Sequence, residues 1–156
     1  MEKRDPRMPP KTLRDRWVVD VDVYLESIDP LKFTVESYLQ QAPGGDLVFH
    51  NNGHPGFDVA FHLHDDTDDP DGYTFVRPRQ NAIWSQYGEG EAACPTTAIW
   101  EVLRPLRLVD DGMTLVVYNP NDEIKDFQYT LRVTNGGEPV RLDPGGKNMN
   151  GVSGRW

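Results

Sequence analysis

Apolar and polar residues alternate with period two through much of this chain, and that alternation sets the reading of its architecture. In residues 17–27, Val19, Val21, Val23 and Leu25 alternate with Asp20, Asp22 and Tyr24. In residues 57–64, Phe57, Val59, Phe61 and Leu63 alternate with Asp58, Ala60, His62 and His64. Successive side chains on a strand point to opposite faces, so each run predicts a strand with an apolar row turned inward. The most organised stretch is 113–133. Met113, Leu115 and Val117 alternate there with Thr114, Val116 and Tyr118, and Phe127, Tyr129, Leu131 and Val133 alternate with Gln128, Thr130 and Arg132. Between the two runs, Asn119-Pro120-Asn121-Asp122-Glu123 carries turn chemistry. The pattern therefore predicts a central hairpin.

Shorter runs predict strands at 33–37, 46–50, 73–76, 82–87 and 98–108, with Pro105 marking the last as an edge strand or a bulge. Residues 38–42 read as a helical turn and 88–97 as irregular chain. The end of the chain, beyond Asp143-Pro144-Gly145-Gly146, is too rich in glycine to predict regular structure. About seven to nine short strands, with no long segment of helical period, predict an all-β protein: an antiparallel β-sandwich, with a barrel as the competing closure. The expected organisation is one β-sandwich domain over 17–145. A basic, proline-containing tail over 1–16 precedes it, and a glycine-rich tail over 146–156 follows.

Charge changes this picture in one respect. The chain of 156 residues carries −9, yet residues 1–16 hold six basic and three acidic side chains, so the remainder carries −12. An acidic surface argues against nucleic acid as a partner, because binding phosphates requires clustered Lys and Arg. No apolar run approaches the ~20 residues of a membrane helix, and the first residues lack the apolar core of a secretory signal. Cys94 is the single cysteine, so no internal disulfide forms. Together these features predict a cytoplasmic protein with no membrane partner.

The candidate chemistry is concentrated at 50–71, where His50, His54, His62 and His64 stand near Asp65, Asp66, Asp68, Asp69 and Asp71. His62 and His64 share a strand face by their spacing, and imidazole with carboxylate suits zinc or non-haem iron. The segment Gly56-x5-His62-x-His64 resembles the opening of the first cupin motif, which implies a metal held in a double-stranded barrel. It departs from that motif at the acidic position, filled here by Asp68 or Asp69. No histidine follows His64 to complete a second motif. The acidic run 65–72 is not an EF-hand loop, because Pro70 occupies a ligand position. Cys94 lacks a neighbouring base in sequence, and Ser153 lies in Gly-Val-Ser-Gly rather than a nucleophile elbow. The tryptophans Trp17, Trp84 and Trp100 are expected in the core or between the sheets.

The ending 138–148, EPVRLDPGGKN, follows a Phe-x-Tyr-x-Leu strand, and Asp29-Pro30 follows the first strand. These features resemble the DP-EP family of small bacterial proteins. The resemblance spans most of 17–150. It implies an immunoglobulin-like sandwich and assigns no activity and no site residue.

No catalytic signature stands above background, so the expected function is non-enzymatic: a protein-interaction or self-association module of a bacterial cytoplasm, without a cofactor. Its partner would be another protein or a second copy, as in a homodimer. The expected contact residues are the outward aromatics Tyr24 and Tyr118 with Arg4, Arg7, Lys11 and Arg14 of the basic tail. The alternative is a metal-dependent enzyme or binding protein using His54, His62, His64 and Asp68. A third reading is small-ligand binding by the loops 53–56 and 88–97.

Overall fold

The computed structural model describes residues 17–37, 47–50, 56–89, 93–121, 123 and 125–149. Eleven strands lie among them: β1 (Trp17–Ile28), β2 (Leu31–Ser37), β3 (Leu47–His50), β4 (Phe57–Asp65), β5 (Thr74–Phe75), β6 (Ile83–Tyr87), β7 (Arg104–Val109), β8 (Thr114–Asn119), β9 (Asp126–Thr134), β10 (Val140–Leu142) and β11 (Gly145–Met149). Among the described residues, helical geometry is limited to short turns such as 79–81 and 110–112. Among the described residues, no helix is long and apolar enough to cross a membrane. The chain is all-β.

The strands form two sheets. The first has the order β2-β1-β4-β8-β7. In the second, β9 is central, with β10 and β11 on one side and β5 and β6 on the other, and β3 lies beside β11. The apolar rows expected from alternation face one shared core. Val19, Val21, Val23 and Leu25 of β1 and Phe57, Val59, Phe61 and Leu63 of β4 meet Phe127, Tyr129, Leu131 and Val133 of β9 there. The rings of Phe61 and Tyr129 stand 5.7 Å apart across it. Burying such rows is the main favourable term in the fold.

Three expectations are corrected by this topology. The stretch 113–133 is not a hairpin. β8 pairs with β4 and β7 in the first sheet, while β9 belongs to the second, so the connection carries the chain across the core. Alternation decides which face of a strand is buried and says nothing about its neighbour. The sheets are also mixed rather than purely antiparallel. β1 runs parallel to β4, from Trp17 beside Phe57 to Leu25 beside Asp65, and β3 runs parallel to β11. Finally, the glycine-rich residues 145–149 form a strand, because the edges of β9 and β3 supply backbone partners that composition does not reveal.

Pro105 stands where its missing N–H predicts, on an edge strand with a bulge between Pro105 and Arg107. The strand expected at 98–108 begins only at Arg104. The residues before it run alongside β6, with Ser85 N–H donating to the Ile99 carbonyl at 2.8 Å and Glu101 N–H to the Ser85 carbonyl at 2.9 Å. Two tryptophans are also displaced from their expected places. Trp100 is 37% exposed and donates its indole N–H to the Gln80 carbonyl at 3.0 Å. Trp84 alternates with the buried Ile83 and Ser85 and lies under the Arg132 guanidinium at 4.3 Å. The expected helical turn 38–42, both ends of the chain and Ser153 lie outside the described residues.

Candidate functional site

The outward face of the first sheet carries the histidines. The parallel register sets Asp22 beside His62 and Tyr24 beside His64. Each imidazole reaches the aspartate two residues earlier on β1: His62 Nε2 lies 2.9 Å from Asp20 Oδ1, and His64 Nε2 lies 2.8 Å from Asp22 Oδ1. The His64 ring also stacks on Tyr24, with centroids 4.6 Å apart and planes inclined by 16°. His62 Nδ1 lies 3.2 Å from Thr114 Oγ1, whose hydroxyl donates to Asp110 Oδ2 at 2.8 Å. The hydroxyl has one proton and gives it to Asp110, so Thr114 accepts from His62. Both ring nitrogens of His62 thus have hydrogen-bond partners within this chain, Thr114 and Asp20.

The sharing of a face by His62 and His64 is therefore as the spacing predicts, but their carboxylate partners come from β1 rather than from the acidic loop. Asp68 is exposed in that loop. Among the described residues, no group of three or more His, Cys, Asp or Glu is disposed to hold a metal ion. His54, Arg4, Arg7, Lys11 and Arg14 lie outside the described residues, and nothing is described of the His50 side chain.

Tyr24 and Tyr118 are both half-buried on this face. They do not form one patch. Tyr24 is in register with His64 and Tyr118 with Asp58, so six residues of β4, about 20 Å, separate their positions along the sheet. The Tyr118 ring lies against Gly56, where a Cβ would come within 2.7 Å of Tyr118 Cε1. Tyr24 forms the wall of a shallow depression of about 210 Å³ with Glu26, Thr34, Glu36 and Asp66. Partial burial raises its phenol pKa, and the carboxylates of Asp22, Glu36 and Asp66 raise it further.

A second concave surface has the opposite charge. Arg77, Pro78 and Arg79, from the turn between β5 and β6, and Leu106, Arg107 and Leu108 of the edge strand β7 line an open groove of about 600 Å³. The three arginines are exposed. Among the described residues, no ion pair engages any of them. Exposed arginines beside leucine and proline in one groove suit planar carboxylates, which arginine binds through paired N–H donors. In the sequence, the strand expected at 73–76 simply ends before Arg77, and Pro105 marks an edge strand or a bulge. The net charge of −9 concealed the basic site, because the two segments that build it lie 25 or more residues apart.

Compared with known proteins, the chain matches no protein-family model, and no curated protein matches it.

Proposed function

We propose that this chain is a non-enzymatic interaction module of the bacterial cytoplasm, an immunoglobulin-like sandwich that receives a carboxylate-rich protein surface in the groove of Arg77, Arg79 and Arg107. The observation that carries this reading is the groove itself: three exposed guanidinium groups without a described acidic partner, along an edge strand, in a chain of net charge −9. Edge strands are natural contact sites, and arginine is enriched in interface cores. The two sheets packed on one shared apolar core support the sandwich.

The test is fluorescence anisotropy with a labelled glutamate-rich peptide, beside a neutral peptide of equal length. The acidic peptide should bind more tightly, and Arg77→Glu with Arg107→Glu should weaken it at least about tenfold, or ~1.4 kcal/mol. Equal binding of the two peptides, or no change in the variant, would overturn the reading.

A further inference from the structure

We infer that the groove's occupant is the acidic loop 65–71 of a second copy of this chain. This inference rests on the carboxylate-binding reading of the groove and names the partner.

The loop is held in one shape by two of its own carboxylates. Asp65 accepts the N–H of Thr67 at 2.9 Å through Oδ1 and that of Tyr73 at 2.8 Å through Oδ2. Asp69 accepts the N–H of Asp71 at 2.9 Å and the Asn135 side-chain amide at 2.8 Å. Asp66, Asp68 and Asp71 are exposed, and no ion pair among the described residues engages them. The loop thus presents carboxylates from a backbone already ordered, which reduces the entropy lost on docking. The complementary surface is close by. Asp71 and Arg77 are six residues apart, so at most about 20 Å of chain separates loop from groove. Two such patches side by side suit a twofold axis, with the loop of each copy entering the groove of the other.

Two chains of −9 repel at long range, so contact pairing must outweigh that repulsion. At physiological salt the screening length is ~8 Å, which weakens the repulsion between whole molecules more than a carboxylate–guanidinium contact at hydrogen-bond distance. Association should therefore persist at moderate salt and fall away near ~1 M, where the screening length is ~3 Å.

The experiment is sedimentation velocity on the full chain across the micromolar to millimolar range. Wild type should form a dimer. A groove reversal (Arg77→Glu with Arg107→Glu) and a loop reversal (Asp66→Lys with Asp68→Lys) should each remain monomeric. An equimolar mixture of the two should recover the dimer, because the reversed groove then meets the reversed loop. Recovery also proves that both variants fold. Should either reversal fail to fold, the neutral versions Arg77→Gln with Arg107→Gln and Asp66→Asn with Asp68→Asn should each weaken the dimer at least about tenfold. A monomeric wild type, variants that dimerise as well as wild type, or a mixture of folded variants that stays monomeric would overturn the inference. A monomeric wild type that still binds the glutamate-rich peptide through Arg107 would overturn self-pairing and leave the acid-binding reading intact. Failure of both assays would overturn both.

Discussion

Leu103 and Ser85 exchange two hydrogen bonds: the Leu103 N–H donates to Ser85 Oγ at 2.8 Å, and the hydroxyl donates to the Leu103 carbonyl at 3.2 Å. Val102 N–H reaches the same oxygen at 3.3 Å. All three residues are fully buried. The serine fastens the segment before β7 to β6, and so fixes where the edge strand and Arg107 lie relative to the turn at Arg77.

Replacing Ser85 with Ala leaves the Val102 and Leu103 N–H groups without this acceptor. Burying unsatisfied backbone donors costs about 1–3 kcal/mol. Urea unfolding of Ser85→Ala should show a loss of that size with little change in slope. A stability equal to wild type would mean that the backbone finds another partner.

Gly56 lies against the Tyr118 ring, with no space for a methyl group. Gly56→Ala should destabilise by about 1–3 kcal/mol through overpacking. The same change made in a Tyr118→Ala background should cost less, because neighbouring sites couple. Equal losses in the two backgrounds would disprove the contact.

Asp69 has a carboxyl pKa below its ordinary 3.8. The largest cause is the Asn135 side-chain hydrogen bond, followed by the Asp71 N–H. A depressed carboxylate contributes stability that is present above the unfolded pKa and is lost as pH falls through the folded value, here below about pH 4. Asn135→Ala should raise the Asp69 pKa toward ordinary and shrink that acid-range loss. Carboxyl-detected NMR titration reads the shift directly, and an unmoved Asp69 would contradict the assignment.

Tyr24 titrates above its ordinary 10.0, through partial burial and then through Asp22, Glu36 and Asp66. A raised phenol pKa contributes stability below pH 10.0, lost as pH climbs through the folded value. Glu36→Gln should lower the midpoint by removing one charge while keeping the burial. Carbon NMR of labelled tyrosine separates Tyr24 from the other phenols. A midpoint unchanged in the variant would remove Glu36 from the causes and leave burial with Asp22 and Asp66.

Much of the architecture was legible because burial writes itself into spacing. The inward rows of β1, β4, β8 and β9 follow residue by residue from alternation, and Pro105 announces an edge by the N–H it lacks. The site was less legible. The common face of His62 and His64 followed from a two-residue spacing, whereas their partners Asp20 and Asp22 stand about forty residues earlier, brought near by a parallel register. Trp100 was expected inside because it is large and apolar. Its indole N–H instead finds the Gln80 carbonyl at the surface.

The sequence by itself determined that this chain is built largely of strands, and which side of β1, β4, β8 and β9 faces the core, since side-chain direction along a strand is a local property of the backbone. Only the tertiary structure decided the rest: that β8 and β9 part into different sheets, that residues 145–149 pair at all, and that Arg77, Arg79 and Arg107 share one groove. Strand partners are chosen by backbone hydrogen bonds, which any residue but proline can both donate and accept. Side-chain composition therefore carries almost no record of which edge meets which, or of the surfaces those meetings create.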